Sequence, residues 1–174
     1  MGNRKMNVTD RFEHLEAIAS KSTAIILDLM KFNEIPLDEA IDMLHRSEFY
    51  MELTDTSTYA WNDVTILAYR EICIDNGLVP ATEQVSVNCP DALPLEFAVR
   101  IFEKTRAALQ APPLSLHSYF RNSNLFRILM DTQRNSGCDE SATDMMCMKI
   151  ITEMSGTPEG RKIIRESKQN LKLS

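Results

Sequence analysis

Apolar residues return along this chain at three- and four-residue steps, the period of an amphipathic helix, and the breaks between the stripes are rich in helix-ending residues. Phe12, Leu15, Ile18 and Ala19, then Ile25, Ile26, Leu29 and Met30, form one long stripe behind a Thr9-Asp10 cap. Asn33-Glu34-Ile35-Pro36 ends it, because the residue ahead of a proline avoids helical angles. Pro36 lacks an N–H that a first helical turn does not need, and Asp38 and Glu39 suit the positive end of a helix dipole, so a second helix follows. Ala40, Ile41 and Leu44, continued by Phe49, Tyr50 and Leu53, are its buried face. Asp55-Thr56-Ser57-Thr58 is a polar turn. The next helix, from about residue 62, carries Val64, Leu67, Ala68, Glu71 and Ile72 and closes at Asn76-Gly77, a left-handed cap.

Residues 78–93 read as a linker punctuated by Pro80 and Pro90, and within it Glu83-Gln84-Val85-Ser86-Val87 alternates like a minor strand. Helical spacing then resumes. Pro94 opens a helix with Phe97, Ile101 and Phe102, and Pro112-Pro113 breaks it. Leu116, Phe120, Leu125, Phe126 and Leu129 make the following buried face, closed by the turn at 133–137. Asp139 caps a helix running through Met145, Met148 and Ile151 to Gly156. Thr157-Pro158-Glu159 starts the last one, with Ile163 and Ile164 inside and Lys168 and Lys172 near its C-terminus. The pattern predicts an all-α fold: a tandem pair of small helical units, residues 1–77 and 94–174, packed into one compact body across the 78–93 linker.

The tandem reading rests on a repeat. Residues 36–56 lie on 112–132 at a constant offset of 76 with five identities among 21 pairs: Pro36/Pro112, Ser47/Ser123, Leu53/Leu129, Asp55/Asp131 and Thr56/Thr132. Chance gives about one. Leu44/Phe120, Phe49/Leu125 and Tyr50/Phe126 keep apolar character, and a two-residue shift then pairs Thr65 with Thr143 and Ile72 with Ile150. Gly77 and Gly156 fall at equivalent stops.

Composition adds limits. A chain of 174 residues, 44% apolar and 25% charged, has the make-up of a globular protein with a sizeable core. The run Ala24-Ile25-Ile26-Leu27 stops at Asp28, far short of the ~18 residues of a membrane span. Met1–Met6 leads into polar residues instead of a signal core, and Met6 stands where a myristoylation pattern prefers Ser or Thr after Gly2, so neither export nor an anchor is expected and the cytoplasm is. Cys73, Cys89, Cys138 and Cys147 form no C-x-x-C pair and read as reduced thiols, Cys73 and Cys147 in the core. The net charge of −6 is uneven. Residues 1–94 hold 7 Lys+Arg against 16 Asp+Glu, a net of −9, whereas residues 95–174 hold 12 against 9, a net of +3. Such asymmetry suits a basic protein partner, or a homo-oligomer in which the acidic half meets the basic half of a neighbour.

One part of the chain matches a pattern. Ile35-Pro36-x-Asp38-Glu39-Ala40 precedes Leu44-x-x-Ser47-x-x-Tyr50-x-x-Leu53-x-Asp55-x-x-Thr58-x-x-Trp61, and an aliphatic helix containing Tyr69 follows. Residues 22–75 thereby resemble a family of short bacterial helical domains, common in gut anaerobes and their mobile elements and often encoded beside ADP-ribosyltransferase-like toxin genes. Residues 98–152 keep Ser123, Phe126, Leu129, Asp131 and Thr132 of the pattern. Most of these positions are also what a packed helical hairpin needs. The resemblance implies a non-catalytic role beside a toxin, as an antitoxin or immunity protein or a mobile-element inhibitor.

Catalytic signatures are missing from the sequence. The five glycines build no phosphate loop, and no G-x-S-x-G, H-E-x-x-H or kinase set is present. His14, His45 and His117 lie on separate helices, which argues against a triad or a compact histidine metal site. Asp38, Asp42 and His45, at steps of four and three, share a helix face that a metal-dependent enzyme could use. A solvated acidic face is the commoner meaning of such spacing, so no metal, no cofactor and no enzymatic activity are expected. Tyr119-Phe120-Arg121 with Phe126-Arg127 interleaves aromatic and basic groups, the mark of a nucleic-acid-associated accessory protein. The core claims Phe120 and Phe126, leaving Tyr119, Arg121 and Arg127, and a pI of 5.1 opposes binding to a polyanion. The expected interface is therefore for protein: Asp38, Asp42, Glu48 and Glu52 steer a toxin or defence enzyme with a basic surface, and Tyr59 and Trp61, the only tryptophan, anchor it.

Overall fold

The structure, a computed structural model, describes residues 8–55, 65–82 and 89–173. The first stripe folds as α1 (Val8–Phe32), which starts just ahead of Thr9 and buries Ile18, Ala19, Ile25, Ile26 and Leu29 completely. Glu34, at φ 54°, turns the chain out of it. Pro36 then stands as the N-cap of α2 (Leu37–Arg46), one position ahead of the first helical residue. Ser47 makes the corner into α3 (Glu48–Thr54): its Oγ accepts from the Tyr50 N–H at 3.1 Å and donates to the Leu44 carbonyl at 2.6 Å, closing one helix and opening the next. The fourth helix, α4 (Thr65–Asp75), ends as foreseen at Gly77. At φ 70° Gly77 lets its own N–H reach Ile74 and that of Leu78 reach Cys73, the paired bonds of a Schellman cap. Beyond the cap, Tyr69 donates to Asn33 Oδ1 at 2.7 Å and accepts from the Ala81 N–H at 3.1 Å, tying residues 78–81 back to α1.

The remaining helices are α5 (Ala92–Leu109), α6 (Pro113–Asn122), α7 (Leu125–Ser136), α8 (Ser141–Gly156) and α9 (Pro158–Leu173). There is no strand among the described residues, and the strand expected at 83–87 lies outside them. The fold is all-α. Its centre is the pair of long helices α1 and α5, clasped at the edge by Arg100 between Glu16 (2.7 Å) and Glu96 (3.0 Å). Helices α2 and α4 lie on α1, α7 and α8 lie on α5, α2 meets α6, and α9 packs on α8 and α6. One hydrophobic cluster runs through them from Ile18 to Ile163, so the halves share a core. Among the described residues no helix is long and apolar enough to cross a membrane. All four cysteines are free, and burial pushes the Cys73 and Cys147 thiols above their usual range.

Offset by 76, the bounds of α2 become those of α6, and Leu44/Phe120, Tyr50/Phe126 and Leu53/Leu129 are buried in both places. The junctions differ. Ser47 caps α3, but the corner into α7 passes through Asn124 at φ 53° with no side-chain cap. Gly77 is left-handed, whereas Gly156 is simply the last residue of α8, so the two glycine stops are not equivalent. Several faces also fall differently from their reading in the sequence. In α4 the buried residues are Ala68, Tyr69, Ile72 and Cys73, and Leu67 points to solvent. In α8 they are Thr143, Cys147, Ile150 and Met154, with Met145 and Met148 outside. Tyr119 is buried and so is not open to a ligand.

The α8–α9 corner is the tightest in the fold. Thr157 Oγ1 accepts from the Gly160 N–H at 3.1 Å, and a Cβ on Gly160 would sit 2.2 Å from the Met154 carbonyl oxygen. That neighbour is backbone and cannot swing aside. Gly160→Ala should therefore lower unfolding free energy by roughly 1–3 kcal/mol despite alanine's better helix propensity. Chemical denaturation checks this, and unchanged or increased stability would contradict the packing described.

Candidate functional site

The carboxylates expected to act together divide between two neighbourhoods, because the corner at Ser47 turns α3 away from α2. On α2, Asp42 accepts from the Arg46 guanidinium at 2.8 Å, and its other oxygen lies 3.8 Å from His117 Nδ1 on α6. His45 is not on a shared face with Asp38 and Asp42. It turns into the core, stacked on Phe102 at 4.7 Å between ring centroids, tilted against Tyr50 at 4.6 Å and edge-on to His117 at 5.3 Å. Among the described residues no group of three His, Cys, Asp or Glu side chains is placed to hold a metal, which removes the geometric basis of the Asp38, Asp42 and His45 metal reading. Glu48 and Glu52 are exposed on α3. Tyr59 and Trp61 lie outside the described residues.

Glu48 belongs instead to a groove of about 260 Å³ between the start of α3 and the end of α4. Glu48, Glu71 and Asp75 supply its carboxylates, Phe49 and Ile72 its buried floor, and Ile74 its edge. Ile74 is 67% exposed and Leu67 56%. With Glu71 between them they stand at steps of four and three, hence in one row along α4. The sequence signal was present: placing Leu67 on the buried stripe displaces Tyr69 and Cys73, and the correct phase brings Leu67, Glu71 and Ile74 to the surface together.

A polar cluster joins α3 to α5, and the separate helices of its members concealed it in the sequence. Glu103 on α5 is wholly buried; it accepts from the Tyr50 hydroxyl through one oxygen and from Arg106 Nε at 2.8 Å through the other. Burial, and then the Glu103 charge, hold the Tyr50 phenol well above its ordinary pKa. Among the described residues His45 Nδ1 and His117 Nε2, both buried, have no hydrogen-bond partner. Burial, helped by His117 and Arg106, holds the His45 pKa well below 6.5. Burial also lowers His117, against the opposing pull of Asp42 and Asp38 and with a further push from Arg121 and Arg46. His45 is 5% exposed and Tyr50 and Glu103 are sealed, so a substrate could reach them only by opening the core. Their role is to join α2 and α3 to α5.

Neither a family model nor a curated protein nor a solved structure matches the chain.

Two outcomes follow from the cluster. Glu103→Ala strands the Arg106 charge and should cost about 3–5 kcal/mol, whereas Tyr50→Phe leaves the ion pair and should cost about 1–3 kcal/mol. Equal losses, read by urea titration, would mean that Glu103 and Arg106 are not a pair. The second concerns pH. Below pH 6.5 the unfolded chain binds protons at His45 and His117 that the folded chain refuses, so this contribution is complete above pH 6.5 and is lost as pH falls toward the depressed folded values. Unfolding free energy between pH 7 and pH 5 should fall less steeply in His45→Phe than in the wild type, by up to about 1.4 kcal/mol per pH unit. Parallel slopes would show His45 to be protonated in the fold.

Proposed function

We propose that this protein is a non-catalytic protein-interaction module whose α3–α4 groove takes a basic, partly apolar segment of a partner protein. The observation that carries this is the groove and the row that leaves it: Glu48, Glu71 and Asp75 stand around a buried Phe49 and Ile72 floor with Ile74, more than half exposed, at the edge, and Leu67, also more than half exposed, continues the line of Ile74 and Glu71 along α4. Apolar surface rimmed by like charges is kept on a protein's exterior at a cost in solubility, and such patches mark binding surfaces. The chemistry divides naturally. Glu48, Glu71 and Asp75 speed the approach of a cationic partner, and Leu67 and Ile74 supply contact area that water gives up on binding. The −9 charge of residues 1–94 extends the attraction beyond the groove. A toxin or defence enzyme with a basic cleft meets this description, in keeping with the resemblance of residues 22–75 to domains encoded beside toxin genes. An antitoxin, an immunity protein or a mobile-element inhibitor needs no catalytic group of its own.

A designed amphipathic peptide of alternating Lys- and Leu-rich turns serves as the probe. Calorimetry at low salt should show saturable binding to the wild type. Ile74→Ala and Glu71→Lys should each weaken it by about fivefold or more, with Tm changed by no more than an ordinary surface substitution changes it. Binding that is indifferent to both substitutions would rule the groove out.

A further inference from the structure

Helix α9 is the electrical opposite of the groove. It holds 5 Lys+Arg against 2 Asp+Glu, a net of +3, while residues 95–157 balance at 7 against 7, so α9 supplies the whole positive excess of the second half. Arg161, Arg165, Lys168 and Lys172 follow at steps of four, three and four, which sets them in one row along roughly 16 Å of helix. The row borders a groove of about 600 Å³ against the end of α8, to which half-buried Ile164 adds apolar surface. Among the described residues none of these four cations has a carboxylate partner; the ion pair on α9 is Lys162 with Glu166, at 4.0 Å.

We propose that the α3–α4 groove is occupied by the basic row of α9 from a second copy of this chain. This rests on the reading of the groove as a binding surface and names its occupant. Three features favour the match. Glu71 and Asp75 stand one helical turn apart on α4, as Arg161 and Arg165, and Lys168 and Lys172, do on α9, so a cation pair one turn apart can meet the two carboxylates with the helices side by side. Ile164 stands next to the basic row as Ile74 stands next to Glu71 and Asp75, which gives the contact an apolar strip as well as charge. The chain as a whole is polarised, −9 in its first 94 residues and +3 in the rest, and such bodies attract head to tail even at a net charge of −6. A nucleic-acid backbone is the poorer fit. The α9 groove has no aromatic lining for bases to stack on among the described residues, and the net charge repels a polyanion. Because one patch meets a different patch, the contact yields a dimer if the second pair engages reciprocally and a ring or chain of copies if it does not.

Sedimentation velocity on the full chain tests the proposal. The wild type should sediment above monomer mass at about 0.05 M salt and return to monomer at about 0.5 M, where charge pairs are screened. The double variants Arg165→Glu with Lys168→Glu, and Glu71→Lys with Asp75→Lys, should each be monomeric at both salts. Mixing the two should restore a heavier species, because the reversed charges then face each other; misfolded variants could not do that. A wild type that is monomeric throughout, or double variants that associate like the wild type, would overturn the inference. If the chain is monomeric and the Lys/Leu peptide still binds the groove, self-recognition fails and the groove reading stands; if the peptide also fails to bind, both fall. Retarded migration of a labelled single or double strand by the wild type, abolished in Arg165→Glu with Lys168→Glu, would make α9 a polyanion site and likewise overturn the proposal.

Discussion

Glu103 sits at the centre of the molecule with its carboxylate withdrawn from water, and a buried carboxylate is tolerable only when its oxygens are filled and its charge is answered. Arg106, one turn along α5, answers the charge; the Tyr50 hydroxyl, from α3, fills the other oxygen. The second of these bonds is tertiary and joins residues 53 apart in sequence. It obliges α3 to dock on α5, and with it Ser47, which launches α3, and His45, which lies flat on Phe102 beside it. His14 reaches the end of the same helix, donating from Nε2 to the Leu53 carbonyl at 2.9 Å. An apolar core would accept many small displacements of α3, but this arrangement accepts few, because hydrogen bonds lose strength within tenths of an ångström and a few tens of degrees.

The surface follows from that constraint. With α3 fixed at its buried end, Glu48 is held at the mouth of the space between α3 and α4, where Glu71 and Asp75 complete a carboxylate rim. Helix α9 is held close to α8 by Gly160, whose missing side chain lets the helix approach the Met154 carbonyl, and its four aligned cations are exposed. The protein thus displays a carboxylate-rimmed groove between two helices and a row of cations along a third. Binding surfaces of that kind lose little conformational entropy when they engage, since the backbone beneath them is already ordered.

Local chemistry was legible in the sequence. The Pro36, Pro112 and Pro158 boundaries, the Gly77 stop, the Thr157 start and the stripe along α1 are all decided within a few residues, and each stands where the pattern put it or within a position of it; the break at Ser47, which divides one expected helix into α2 and α3, was not read, and α5 starts two residues ahead of Pro94. What escaped was decided by neighbours distant in sequence. The phases of α4 and α8 were ambiguous because both helices are apolar nearly all round, so packing against α1 or against α5 and α9 selects the face. The spacing of Asp38, Asp42 and His45 satisfied the geometry of a helix face but carried no information about which side the core would claim, and the core claimed His45. The histidines were read as dispersed because they occupy different helices; contact between α2 and α6 brings two of them together. Glu103 gave no sign of burial in a sequence where carboxylates are common. Glu48 was read correctly as a surface acid, while its partners Glu71 and Asp75 became visible only once α4 had a direction.

If the Tyr50–Glu103–Arg106 cluster welds the two halves into one body, they must open together. Native-state hydrogen exchange measures this directly, residue by residue, across α1 to α9. The slowest amides of α2 and α3 should exchange with the same opening free energy as those of α5 and α7, equal to the global unfolding free energy. A lower opening free energy shared by α1 to α4, with α5 to α9 still protected, would mean that the halves unfold separately and that the cluster does not bind them.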